Sequence, residues 1–508
     1  MWRVCMVIAL LAGSARADTL RIGTITVKLT PLFSAAEGGT AGLYRIADRI
    51  QVRTREALIR RFLLFDEGDE LDEAKLRESE RNLRQLNFLE LVSIKASPPH
   101  DGVVDVIVET HDAFTTDINA DFSNDGGRAV YDFEVTQKNL FNRGGDIDLR
   151  VANGLYRRTT SLEVVDPEMF GPYWTAHALA AISSDGNEQR LSVERPLYSY
   201  ATKLTALASI DHLLQDARTY RSSVIDSIFR QSHGEAAIQA GRVIQTRPAI
   251  TTRVLAGIDF VDDSFATITG AAPDARHFRW LEVGIDRTRF NFITLDHVDY
   301  GLRKQDFNLG GHAAVFGAVS PRGSVSRVRG DASYGRQLGA FSFLITRASA
   351  TGRIHATNRN AIFSSDTRFI VKLPAKYPET FVAHAHLDVG WNLDRDVQFF
   401  ADGQNGLRAY PDFAFEGSRR IVLNAEHRVF LGRELLDFFE PGAAAFVDSG
   451  EAVTGGFGHP KTDFGVGLRF SIARLEAAML RFDVAYAVND SPNRRHGLQF
   501  SFATVQAF

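Results

Sequence analysis

Thr116-Asp117-Ile118-Asn119-Ala120-Asp121-Phe122 is the stretch on which the fold turns. Thr116, Ile118, Ala120 and Phe122 alternate with Asp117, Asn119 and Asp121, so one strand carries an apolar face and a charged face. Ala129, Tyr131, Phe133 and Val135 then alternate with Asp132, Glu134 and Thr136, and Ile147, Leu149 and Val151 with Asp148 and Arg150. Far down the chain Phe464, Val466, Leu468 and Phe470 alternate with Gly465, Gly467 and Arg469, and Leu480, Phe482, Val484 and Tyr486 with Arg481 and Asp483. Period two with one apolar face fits a soluble antiparallel sandwich or a membrane barrel. Paired opposite charges on the polar faces, as a wet and crowded lumen would carry, favour the barrel. So does the recurrence of the pattern from 112 to 508 without an intervening helical domain.

Composition points the same way. After Ala17 no stretch approaches the roughly 18 consecutive apolar residues of a membrane helix. Phe is abundant at 37 residues and Gly at 41, while Met stands at 4. In hydrocarbon only helices and closed barrels satisfy every backbone polar group. Upstream, the basic head Met1–Arg3, the apolar run Val4–Gly13 and Ala15-Arg16-Ala17 predict a signal peptide over 1–17, cleaved before Asp18. Cleavage removes Cys5, the single cysteine, and with it any disulfide or thiolate ligand. It also removes Arg3 and Arg16 from the 58 Lys and Arg, leaving 56 basic residues against 62 acidic. That mild acidity argues against a nucleic-acid binder, which should show a concentrated basic field.

Residues 18–111 read as a compact β-α-α-β-β unit. Leu20–Leu29 alternates and is bounded by Pro31, and 31–48, rich in Gly and Ala, reads as an inserted loop. Thr54 is expected to cap a helix with Leu58, Ile59, Phe62 and Leu63 at helical spacing. After the turn Asp66-Glu67-Gly68-Asp69, Asp72 caps a second helix with Leu76, Leu83 and Leu86 on one stripe. Strands Leu89–Ala96 and Val103–Val108 follow, joined by Pro98-Pro99-His100-Asp101-Gly102.

Thr54–Asp112, with Glu67-Gly68-Asp69 and Glu78-Ser79-Glu80-Arg81-Asn82-Leu83-Arg84, resembles the last POTRA domain of the BamA/TamA superfamily of outer-membrane proteins. Asn139-Leu140-Phe141-Asn142-Arg143-Gly144-Gly145 is similar to an early barrel turn of that family, and Glu194-Arg195-Pro196-Leu197-Tyr198 to a mid-barrel segment. Gly406-Leu407-Arg408-Ala409-Tyr410-Pro411 resembles the arginine motif at the tip of the sixth extracellular loop, with Ala409 where the family has glycine. The resemblance implies a small α+β POTRA-like periplasmic domain over 18–111 and an all-β transmembrane barrel of about 16 antiparallel strands over 112–508. It also implies that Arg408 meets Glu426 and Asp448 in the lumen. Independently, Asn424, Glu426 and Arg428 share one strand face opposite Leu423 and Ala425, which points Glu426 inward. A loop arginine in a partly dry lumen needs such a carboxylate. Val328-Arg329-Gly330 repeats the short motif without the downstream Tyr-Pro and acids, and reads as coincidence.

Other sites weigh less. His384-Ala385-His386-Leu387-Asp388 has the spacing of metal ligands on a strand. However, Phe381, Ala383, Ala385, Leu387, Val389 and Trp391 make an unbroken outer face, as any lumen-facing barrel strand would, so no metal and no cofactor is expected. No H-E-x-x-H, G-x-S-x-G or phosphate loop occurs, and nothing asks for an enzyme. Leu498, Phe500, Phe502 and Phe508 should face lipid, the terminal Phe508 resembling a barrel assembly signal. Asn392–Arg395 and Ala473–Ala477 are expected as periplasmic turns, and Gln404–Arg419 and Asn489–Arg495 as extracellular. The expected function is insertion or translocation of polypeptides at the outer membrane. Partners would be unfolded clients, outer-membrane lipid and periplasmic or lipoprotein accessories, and no nucleic acid. A dedicated two-partner-type secretion pore and a passive diffusion porin are the alternatives.

Overall fold

The computed structural model describes residues 20–31, 51–125, 128–199, 202–247, 249–321, 325–355, 358–435, 439–472, 479–491 and 497–504. The expected leader over 1–17, nearly all of the 31–48 insertion and Phe508 lie outside them. Twenty strands among the described residues close into one barrel in which every neighbouring pair is antiparallel, from Thr116–Asp125 round to Leu498–Ala503. The expectation of sixteen is therefore corrected. Its error was to assume long connections. Several hairpins turn within two residues, such as Ser222-Ser223, both with positive φ as a primed turn requires. The residues saved become strands.

The alternation decides which face points where. Phe464, Val466 and Leu468 are exposed on the outside, while Asp463 and Arg469 on the same strand, Lys461–Ser471, are fully buried inside. Ile118, Phe122, Leu281, Val283 and Ile285 continue the outer apolar surface. So wide an apolar surface on a closed barrel suits hydrocarbon and would be an aggregation liability in water. No helix among the described residues is long and apolar enough to cross a membrane. The wall is uneven. Leu204–Arg221, Val224–Arg247 and Ile250–Thr269 are 18, 24 and 20 residues long, against the roughly 9–11 that a bilayer requires.

The N-terminal unit comprises β1 (Arg21–Thr30), α1 (Glu56–Arg61), α2 (Glu73–Arg84), β2 (Leu89–Ala96) and β3 (Val103–Asp112). Its sheet has the order β1-β3-β2, with β1 parallel and β2 antiparallel to β3. Ile22, Ile25, Leu58, Ile59, Phe62, Leu76, Leu83, Phe88, Val106 and Val108 form its core. A clear helical POTRA-like domain, however, is not what the chain forms, because helix is scarce. α1 is 6 residues long and follows Arg55, whose side chain makes no capping hydrogen bond. Thr54 is not the cap; its N–H instead donates to Asp112 Oδ2 at 3.3 Å. α2 is 12 residues long and is capped by Asp72, as its sequence requires.

The unit is docked on one rim of the barrel, hereafter the near rim. Arg61 pairs with Glu168 at 2.7 Å, Arg84 with Asp306 at 2.9 Å, the Ser199 hydroxyl donates to Glu78 at 2.6 Å, and the Tyr173 hydroxyl to the Phe62 carbonyl at 2.7 Å. Asn392–Arg395 and Gln404–Arg419 lie in one connection, between Glu379–Trp391 and Arg419–Phe430, and so emerge together at the far rim. The near-side placement expected for Asn392–Arg395 is thereby overturned. Ala473–Ala477 lies outside the described residues.

Candidate functional site

Among the described residues two elements enter the lumen, one from each rim. The far-rim connection 392–418 is pinned first at its base, where Asp394 meets Arg276 at 2.7 Å and Arg353 at 2.6 Å. Phe399–Ala401 and Phe415–Gly417 then pair as a short ribbon. At the bend Asp402 accepts the N–H groups of Gln404 and Asn405 with one oxygen and that of Phe413, at 2.8 Å, with the other. Gly406 closes the turn at φ 98°, where an added Cβ would stand 2.9 Å from Val422. The left-handed position thus falls on Gly406, and Ala409 needs no positive φ. Leu407, Ala409 and Tyr410 are buried against Val422, Phe446, Ala485 and Ala487 of the wall. The Tyr410 hydroxyl donates to the Thr462 carbonyl at 3.0 Å.

This turn delivers Arg408 into the wall. Its Nε and Nη2 donate to the two oxygens of Asp448 at 2.8 and 3.0 Å, a planar fork on a carboxylate. Nη1 donates to Glu426 Oε2 at 2.7 Å and reaches Asp483 Oδ2 at 3.5 Å. The guanidinium lies 3.3 Å above the centre of the Phe446 ring. Gly406, Leu407, Arg408, Ala409, Tyr410, Glu426 and Asp448 are therefore brought to one place.

Sequence reading missed the rest of the network. Arg428 Nε and Arg469 Nη2 both donate to Glu426 Oε1, at 2.8 and 3.0 Å, and Arg469 Nη1 to Asp483 Oδ1 at 2.6 Å. Three buried arginines, Arg408, Arg428 and Arg469, and the partly buried Arg481 thus face Glu426, Asp448, Asp463 and Asp483 from a loop and four adjacent strands. The alternation put Arg469 and Asp483 on the polar faces of their strands but could not place them beside Glu426. Room comes from glycine. At Gly467 a Cβ would stand 2.0 Å from Asp483, and at Gly465 it would stand 2.4 Å from the Phe446 ring. Arg329 of the second short motif lies elsewhere on the wall, against Glu282.

From the near rim comes a hairpin no reading anticipated, Phe292–Leu295 paired with Gln305–Asn308. Its tip residue Val298 is fully buried with Phe343, Ile370 and Val382 of the wall. His297 Nε2 meets Glu440 at 3.0 Å, Thr380 Oγ1 donates to the His297 carbonyl at 2.7 Å, and Arg368 pairs with Asp299. Arg428 joins the two lumenal elements, because its Nη1 donates to the Val298 carbonyl while its Nε holds Glu426. Short apolar words in Phe292–Leu295 were its only sequence signal, and they read equally as wall strand.

At the closing pair, Leu498–Ala503 meets Thr116–Asp125 only through Ser501 opposite Ser123 and Phe502 opposite Phe122 among the described residues. The Thr504 N–H adds a bond to Asp121 at 2.9 Å. Phe500 is exposed, and Phe502 packs on Phe482 with ring centres 4.7 Å apart.

No family model matches the chain, and no curated protein matches it. Among solved structures it is similar to CdiB from Escherichia coli, at 12% identity and TM-score 0.50 over 95% of this chain and 76% of that one. CdiB from Acinetobacter baumannii aligns at 11% and 0.49 over 96% and 74%. BamA from Haemophilus ducreyi lacking POTRA domains 1–3 aligns at 12% and 0.38 over 95% and 85%. At this identity the likeness is one of fold alone: the chain closes into an antiparallel barrel like that of CdiB from Escherichia coli.

Proposed function

We propose that the protein inserts polypeptides into, or passes them across, the outer membrane, with its N-terminal unit on the periplasmic side and its lateral seam as the working part. The observation that carries this is the short closing pair. Among the described residues two backbone pairs join Leu498–Ala503 to Thr116–Asp125, against ten between Thr116–Asp125 and its other neighbour, and a strand edge that opens is a template for an incoming strand. β2 lies at the edge of the near-rim sheet with Leu91 exposed, suited to receive an extended client by strand addition. Glu90, Leu91 and Val92 border a cleft of about 1050 Å³ whose other side is the rim. Client folding would supply the energy. A lumen entered from both rims does not suit passive diffusion.

The lumenal hairpin favours a second reading, export of one dedicated client through the pore, because such a path requires the hairpin to leave. The test is depletion in the native host, complementation with Ser123→Cys/Ser501→Cys, and quantitative outer-membrane proteomics. If the seam works, the oxidised variant reproduces the loss of many barrel proteins and reduction restores them. Full complementation by the cross-linked form would remove the seam from the mechanism. Loss of one exported protein alone would establish the second reading.

A further inference from the structure

Neighbouring strands bring three metal-ligand side chains together on the lumen wall. Asp366, on Asn358–Leu373, lies opposite His386 on Glu379–Trp391, and His384 is two residues before it on the same face. Their ligand atoms all lie within 4.8 Å of one another. His384 Nε2 is 2.6 Å, and His386 Nδ1 3.3 Å, from Asp366 Oδ2. Sequence spacing offered Asp388 as the third member, but the barrel gives that place to Asp366 and sets Asp388 behind.

The second observation is how the outer ring nitrogens are held. His386 Nε2 is 2.9 Å from Asp388 Oδ2, and His384 Nδ1 is 3.1 Å from Asn424 Oδ1. An oxygen on the far nitrogen fixes a histidine's tautomer and aims its near nitrogen, the arrangement that metal sites use. The site opens on a cavity of about 410 Å³ that Gln404 and Gly406 of the far-rim loop also line. Of the nearby cations, Arg420 holds Asp388 at 2.7 Å and also lies 2.8 Å from His386 Nε2, on the side of the ring away from Asp366, while Arg368 pairs with Asp299.

We propose that Asp366, His384 and His386 bind one divalent first-row transition ion, of which Zn²⁺ best suits two imidazoles and a carboxylate. The cavity leaves a fourth position for water. The ion also clamps the loop. Asn424, which orients His384, donates to the Gly406 carbonyl at 2.7 Å and to Asp448 at 2.8 Å, so fixing the histidine fixes the tip that carries Arg408. This site does not depend on whether the barrel moves polypeptides.

The experiment uses the folded full chain in detergent, titrated with Zn²⁺ alone by calorimetry and with Co²⁺ by visible absorption. One equivalent should bind, with Co²⁺ bands of nitrogen–oxygen coordination. His384→Gln, His386→Gln and Asp366→Asn should each remove the bands and weaken Zn²⁺ at least about tenfold, and Asn424→Ala by about tenfold, the scale of outer-shell losses. His277→Gln, whose side chain is largely exposed, should change nothing. Retained faster migration on unheated gels shows that each variant is folded. Zn²⁺ should slow cleavage within Gly403–Phe413 in the native sequence and not in His384→Gln. Binding no tighter than in His384→Gln, or binding lost in His277→Gln, would overturn the site; cleavage indifferent to bound Zn²⁺ would overturn the clamp.

Discussion

Arg408 shows how a single residue organises this barrel. It is 7% exposed and touches three carboxylates, so its removal strands buried negative charge. Breaking one partner of a buried pair costs roughly 3–5 kcal/mol. Arg408→Ala should free the loop to protease on that scale. Arg408→Lys should rescue only part, because a point charge cannot fork across Asp448 while reaching Glu426. A double-mutant cycle with Asp448→Ala should give strong coupling, and one with Asp483→Ala weaker coupling, following contacts of 2.8 and 3.5 Å. Additive effects in both cycles would mean that the arginine works in water. Gly467→Ala tests the same site from the wall. With a Cβ 2.0 Å from Asp483, overpacking should lower the unfolding free energy by about 1–3 kcal/mol, read as a lower unfolding midpoint, whereas Gly317→Ala, with no atom within 4 Å, should be neutral. Arg408, Glu426 and Asp448 were legible because motif and strand phase agree. Asp483 and Arg469 were not, since phase gives a direction and not a neighbour.

At the scale of elements the hairpin 292–308 is the new feature. Its apolar tip is held by Phe343, Ile370 and Val382, so Val298→Asp should unseat it by burying an unpaired charge. Planar-bilayer recordings should then show larger and steadier conductance than the native barrel; unchanged conductance would mean that the hairpin does not obstruct the lumen. The hairpin was illegible because Phe292–Leu295 and Gln305–Asn308 are each four residues long, too short for a period to separate a wall strand from a lumenal one. The strand count failed for the opposite reason. Individual strands were plain in the alternation, but turns such as Ser222-Ser223 carry little composition to mark them. α2 was legible from its Asp72 cap and Leu76/Leu83 stripe, and α1 was overextended because Thr54 gives its N–H to Asp112 and not its side chain to a helix.

Across the whole molecule, contacts run without a gap from the N-terminal unit to the far rim. Arg84 meets Asp306 of the hairpin, Val298 meets Arg428, and Arg428 meets Glu426, which holds Arg408. Arg428→Gln should therefore raise both conductance and loop cleavage. Arg353→Gln, which removes one of the two arginines that hold Asp394 at the loop's base, should raise loop cleavage alone. Equal behaviour of the two variants would deny the hairpin and loop a shared hold. By itself the sequence determined which side chains share the apolar face of each strand and that Glu426 lies on the polar one, and its resemblance to a family implied that Arg408 meets acids on the next strands. The two-residue period of a strand and the cost of an unpaired charge are both local properties. Only the tertiary structure decided that twenty strands close the barrel among the described residues, that a hairpin enters the lumen from the near rim, that Asp366 and not Asp388 completes the histidine pair, and that two residue pairs join the seam there. Each of these depends on register and closure, which bring together residues tens to hundreds of positions apart and leave no trace in any one stretch of the chain.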